Sequence, residues 1–138
     1  MTAWAIVDTG PLVAYFDARE SLHEWAVQFV GGAERVVTCE PVITEALFLL
    51  ARTSSGIQNV WRMMERGALQ IDFRLHDHAD SIAALMNKYE NLPMSLADAC
   101  LVRMAEMHPR MVVITTDRHF RIYRTSDRRV LNLRTPGF

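Results

Sequence analysis

"AIVDTGPLVAYF", residues 5–16, places an apolar run directly before an aspartate, a threonine and a Gly-Pro pair. Such a run ending on an acid reads as a buried strand that delivers Asp8 to the edge of a sheet, with Gly10 and Pro11 turning the chain into a short helix. Taken alone, Asp-Thr-Gly has three readings: the catalytic loop of an aspartic protease, the first carboxylate of a metal site, or a polar turn.

The rest of the chain chooses among them. The runs at 4–8 ("WAIVD"), 35–39 ("RVVTC"), 69–73 ("LQIDF"), 111–116 ("MVVITT") and 129–133 ("RVLNL") have the β-branched, near-continuous apolar character of strands buried on both faces. Between them, residues 20–30, 41–55, 56–67, 77–90 and 95–107 repeat their apolar positions with helical period, as in Leu22, Trp25, Ala26 and Phe29. Strands alternating with helices predict an α/β domain with a central, mainly parallel sheet. An aspartic protease is nearly all β and rich in hairpin turns, so the protease reading falls.

The chain has 138 residues, the size of one ordinary domain, and no repeat or linker divides residues 1–138. Half of them are apolar and the formal charge is only −1, which excludes a disordered chain and a basic nucleic-acid arm. The charge is unevenly spread. Lys88 is the only lysine, and Arg118, Arg121, Arg124, Arg128, Arg129 and Arg134 cluster late, where they form either a solvated surface or a set of phosphate contacts. Cys39 and Cys100 lie in apolar stretches without a second ligand pair and read as small core residues in a reducing cytoplasm. Neither a signal peptide nor a membrane span is expected.

Sites in open α/β sheets gather beyond the carboxyl ends of strands. Asp8 ends the first strand beside Thr9, and Asp117 follows the fourth beside Thr115 and Thr116. Each also suits an ordinary helix cap. Glu45 falls in the pattern of Val42, Phe48 and Leu49, where an unpaired buried charge would cost several kcal/mol in order of magnitude. Asp98 falls among Met94, Leu101, Val102 and Ala105, with Ser95 at capping-box spacing. If Asp8, Glu45, Asp98 and Asp117 converge, they repel one another until a divalent cation holds them ionised. Oxygen-only ligands favour Mg²⁺ or Mn²⁺ over zinc. The rival cluster "LHDHAD", 75–80, reads better as the acidic first turn of a helix, and the Trp25, Trp61 and Met63-Met64 positions as core or contact surface.

Together "IVDTGPLVAYFD", "PVITEALFLL", "LPMSLADACLVRMAE" and "VVITTDRHFRIYR" resemble the PIN-domain nucleases, and within them the VapC-type toxins of toxin-antitoxin pairs. The motifs span nearly the whole chain in the family's order. Asp8, Glu45, Asp98 and Asp117 match the family's acidic quartet, Thr9 and Thr115 its neighbouring hydroxyls, and Phe120 the aromatic after the last acid. The resemblance implies a three-layer αβα sandwich, a homodimer, Mg²⁺- or Mn²⁺-dependent RNA cleavage and inhibition by a cognate antitoxin. Asp8 and Asp98 are then expected as principal ligands, and Arg118, Arg121 and Arg124 as RNA contacts. A chain so rich in arginine over lysine, with His119 next to the last acid, departs from the family's pattern. Two alternatives stay open: a receiver-like phosphotransfer domain, which normally has a late-strand lysine, and a PIN-like protein that binds or processes RNA without being a toxin.

Overall fold

The computed structural model describes residues 2–138, with side chains from Trp4 onward. Along the chain β1 (Thr2–Val7) leads through α1 (Thr9–Phe16) and α2 (His23–Phe29) to β2 (Ala33–Thr38). Then α3 (Glu40–Leu50) and α4 (Gly56–Glu65) lead to β3 (Leu69–Ile71). A 3₁₀ turn (Leu75–His78), α5 (Ala79–Lys88) and α6 (Leu96–Met107) return to β4 (Val112–Ile114). A second 3₁₀ turn (Arg118–Arg121) precedes β5 (Leu133–Arg134).

The five strands form one sheet in the order β3-β2-β1-β4-β5, and every neighbouring pair is parallel. Parallel neighbours need crossovers, and crossovers are right-handed. The connections from β1 to β2 to β3 step in one direction, whereas β3 to β4 steps back past β1. The same handedness therefore puts α1–α4 on one face and α5–α6 on the other, which gives the three layers. Ile6, Val7, Val36, Val113 and Ile114 are buried between them, which explains why these strands carry runs of β-branched residues rather than an alternating pattern. Thr38 is the polar exception, and its Oγ1 donates to the Val7 carbonyl at 2.7 Å.

Several boundaries differ from the sequence reading for identifiable reasons. The helix expected to 55 ends at Leu50, because Thr53 Oγ1 donates to the Leu50 carbonyl and accepts from Gly56 N–H, closing one helix and starting the next. The helix expected from 77 opens as a 3₁₀ turn and becomes α-helical at Ala79. The strand expected at 129–133 is reduced to Leu133–Arg134. Residues 125–129 instead close a tight turn, with Thr125 N–H on Arg129 O and Arg128 at φ +67°, and Val130 makes only an isolated bridge to Arg124. Cys39 and Cys100 are free and buried. Among the described residues no helix is long and apolar enough to cross a membrane.

Candidate active site

Strand order reverses between β1 and β4, so the crevice at their carboxyl ends is the topological switch point of the sheet. The two strand-end aspartates meet there. Asp8 N–H donates to the Ile114 carbonyl at 3.0 Å, extending the β1–β4 ladder to the acid itself. Asp8 also caps α1, its Oδ1 accepting from Thr9 N–H at 2.7 Å. Thr115 joins the pair: its hydroxyl donates to Asp8 Oδ2 at 2.7 Å and accepts from Asp117 N–H at 3.0 Å. Asp117 in turn caps the turn Arg118–Arg121, with Oδ1 accepting from His119 N–H at 2.9 Å and lying 2.8 Å from His119 Nδ1.

Asp98 arrives from α6, which packs on β1 and β4. The expected capping box is present: Asp98 N–H donates to Ser95 Oγ and Ser95 N–H to Asp98 Oδ2, both at 3.1 Å. The same Oδ2 accepts from the Tyr123 hydroxyl at 3.3 Å. Among the described residues this leaves Asp98 Oδ1 and Asp117 Oδ2 without a protein donor, while both oxygens of Asp8 are used once. Tyr123 was not read from the sequence as part of the site. It is six residues beyond Asp117 in a segment without periodicity, and only the packing of that segment against α6 reveals it.

Glu45 stands apart from its sequence reading. The buried face of α3 is Val42, Ile43, Ala46 and Leu50, while Glu45 is exposed and faces outward with Phe48 and Leu49. The supposed carboxylate in a core stripe is a carboxylate on a surface apolar patch, so no large desolvation cost attaches to it. Contact between α3 and α6 still brings it within electrostatic reach of Asp98.

The acids feel one another. Burial pushes the Asp8 carboxyl up to about 6, with the charges of Asp98 and Asp117 adding to the rise and the bonds from Thr115 and Thr9 opposing it. Asp98 is raised by burial and by Asp117, and Glu45 by partial desolvation and by Asp98. The Tyr123 hydroxyl is held protonated by burial and by the same acids. Among the described residues no three His, Cys, Asp or Glu side chains close into a metal cage. The donor chemistry nevertheless fits a hard divalent cation that keeps part of its water shell: the candidate ligands are oxygens, and among the described residues Asp98 Oδ1 and Asp117 Oδ2 have no protein donor and Thr9 Oγ1 is buried beside Asp8 without a partner. A Cβ at Gly10 would lie 2.3 Å from Thr116 Oγ1, so any side chain there would force the Thr116 hydroxyl to move.

The basic residues divide. Arg118 and Arg121 hold their guanidiniums 4.7 and 5.8 Å from the centre of the Phe138 ring. Arg124 folds back, with Nη1 donating to the carbonyls of Arg121, Ile122 and Tyr123. The "LHDHAD" segment gathers no site: Asp77 pairs with Arg74 at 3.1 Å, and His78 stacks on Phe73 and accepts from Arg103 Nε. His23 bonds the Ala14 carbonyl at the start of α2.

Comparison with known proteins bears on this geometry. Ribonuclease VapC26 of Mycobacterium tuberculosis is 26% identical over 127 residues, covering 83% of this chain and 88% of the relative. The crystal structure of VapBC2 from Rickettsia felis bound to a DNA fragment from their promoter contains a chain of the same fold. It aligns with a TM-score of 0.59 at 13% identity, over 96% of this chain and 98% of that one. Residues 5–125, which run from within β1 to Thr125 and so include all four acids, match the PIN domain family, and the chain is a member of that family.

Proposed function

We propose that this PIN domain is a metal-dependent endoribonuclease that hydrolyses RNA phosphodiester bonds, and that it is the toxin of a toxin-antitoxin pair. The observation that carries the reading is the meeting of Asp8, Asp98 and Asp117 at the switch point, with Thr115 bridging two of them. The similarity to a ribonuclease over most of the chain supports the reaction class.

Asp8 and Asp98 are the residues that would hold the cation, Mg²⁺ or Mn²⁺, with Glu45 and Asp117 completing the site directly or through water. When bound, the ion supplies Lewis-acid polarisation of the scissile phosphate and a water of lowered pKa. The protein's own contribution is positional. Thr115 and Thr9 N–H fix the two Asp8 oxygens. Ser95 and Tyr123 fix one oxygen of Asp98 and leave the other free. Asp117 and Glu45 would be the acids available to accept a proton from an attacking water. Arg118 and Arg121, next in the chain to Asp117, are placed to meet negative charge building on the phosphate.

The toxin assignment rests on the two relatives named above, one a VapC ribonuclease and the other part of a VapBC complex. A VapB-like antitoxin and a second copy of this chain are the protein partners that follow. The outward faces of α3 and α4 suit such contacts, since Phe48 is 80% exposed and Leu49 and Trp61 are exposed as well. The decisive assay is cleavage of RNA with Mg²⁺ or Mn²⁺ by the wild type, Asp8→Asn and Asp98→Asn. Metal-dependent cutting that is lost in both variants supports the proposal, and no cutting by the wild type with any divalent metal sinks it. Growth arrest on expression, relieved by the product of a neighbouring short gene, separates a toxin from a housekeeping RNA-processing enzyme.

A further inference from the structure

Two large grooves differ in sign: one holds Glu45, and the other lies across the amino ends of β1 and β4, at the opposite end of these strands from Asp8 and Asp117. One, of about 480 Å³, is lined by Glu40, Glu45, Phe73, Leu75 and Leu96 and contains no basic residue, so it repels a phosphate backbone. The other, of about 650 Å³, crosses from Trp4 of β1 past Arg110 at the start of β4 to Asn132, Leu133 and Arg134 at the β5 edge, and contains no acid. Of its two guanidiniums that of Arg134 is braced on an aromatic ring, 4.7 Å from the centre of Phe29, and Trp4 on its wall carries Arg35 at 5.1 Å. An arginine stacked on a ring keeps its charge and its outward N–H edge while giving up little further freedom on binding.

The chain itself links the cationic groove to the active-site end of the sheet. After Arg134 the segment turns at Gly137, whose φ of +93° suits glycine and whose N–H donates to the Thr135 carbonyl. That turn sets Phe138 against Arg118 and Arg121, the arginines of the turn that Asp117 caps. From Arg134 to Phe138 is four residues, so no more than ~15 Å separates groove and clamp. Among the described residues Arg110, Arg118, Arg121 and Arg134 form no ion pair, whereas Arg129 is neutralised by Asp127 at 2.7 Å and Arg124 is spent on carbonyls.

We infer that single-stranded RNA reaches the acids along the β5 edge, its phosphates tracked from Arg110 and Arg134 to Arg118 and Arg121. The inference rests on the ribonuclease reading. Backbone neutralisation by arginine with aromatic support is the usual composition of a single-strand groove.

Binding of a short fluorescent single-stranded RNA, measured by anisotropy in EDTA so that cleavage is off, tests it. Arg110→Ala/Arg134→Ala is expected to weaken binding at low salt at least about tenfold. Two lost phosphate contacts should also make the slope of log K against log salt shallower by about 1.4. Arg52→Ala, a control at an arginine paired with Asp17 and Glu20, should stay within about twofold. With metal restored, the double variant should raise KM and leave kcat near wild type. A double variant of unchanged melting temperature that binds RNA with wild-type Kd and salt slope overturns the track while leaving the ribonuclease reading intact. So does one that loses only self-association, which would assign the groove to a second copy. If the wild type neither binds nor cuts RNA, the ribonuclease reading falls first and the track with it.

Discussion

The segment Leu75–His78, extended to Asp80, and the crevice between β1 and β4 make opposite use of titratable residues. In the first, two histidines and two aspartates crowd into six positions, and the fold scatters them: Asp77 to Arg74, His78 to Phe73 and Arg103. In the second, Asp8, Asp98 and Asp117 are separated by 19 to 109 residues of sequence, and the fold brings them close enough to shift one another's ionisation. Density along the chain is therefore a poor guide to a site. What decides is delivery to the same strand ends with the solvating water removed, because only then do charges interact strongly enough to demand a ligand.

The contrast can be broken most directly by charge removal. Asp98→Asn is expected to lower RNA cleavage by at least about 100-fold, the scale on which loss of one preorganised electrostatic contact acts. Comparable cleavage rates for this variant and the wild type would remove the crevice from the chemistry.

The next effect concerns stability without metal. Asp8 has a folded carboxyl near 6 against an ordinary value of 3.8, so between those pH values the native state binds a proton that the unfolded state does not. Stability of the metal-free protein then falls as pH rises through that window, and the penalty is fully present above it. Asp8→Asn removes a term of roughly 3 kcal/mol at neutral pH. In EDTA it should therefore be more stable than the wild type to urea at pH 7.5, and the advantage should close as pH falls toward 4. An advantage that is absent, or that grows on acidification, contradicts the buried-acid account.

Tyr123→Phe sharpens the comparison by deleting one hydroxyl while keeping the ring, which packs edge-on against Tyr89 and Phe120. Second partners of metal ligands typically matter by 10–100-fold. We expect Mn²⁺ binding by calorimetry to weaken about tenfold with little change in melting temperature; unchanged Mn²⁺ affinity would leave Tyr123 a packing residue only. The smallest effect belongs to the scattered cluster. His76→Ala and Asp77→Asn, both at exposed positions, should alter cleavage less than twofold and stability by no more than about 0.5 kcal/mol. A large loss in either would restore that segment as a site.

Much of the architecture was legible because its physics is local. Buried parallel strands must be apolar on both faces, and the runs around Ile6, Val36 and Val113 say so; the Ser95–Asp98 capping box was equally readable from four adjacent letters. The boundaries that failed depended on side chains reaching across a turn, such as Thr53 between two helices, or on a tight turn at 125–129 that withdrew most of an expected strand. Glu45 was placed correctly in order and wrongly in environment. Helical period shows which residues share a face, and the neighbouring elements decide whether that face is covered.

By itself the sequence determined the alternation of strands and helices, the acids at two strand ends and in two helices, and the resemblance that ordered them into one quartet. These follow from period, residue type and order, which every chain carries along its length. Only the tertiary structure decided that β1 and β4 are neighbours at a reversal of strand order. The same packing decided that Thr115 ties Asp8 to Asp117, that Tyr123 holds Asp98, and that Arg118 and Arg121 are braced by Phe138 while Arg124 is not. Apart from the Thr115–Asp117 bond, those contacts join residues from 17 to 107 positions apart, and their strength comes from exclusion of water, which no local pattern of letters encodes.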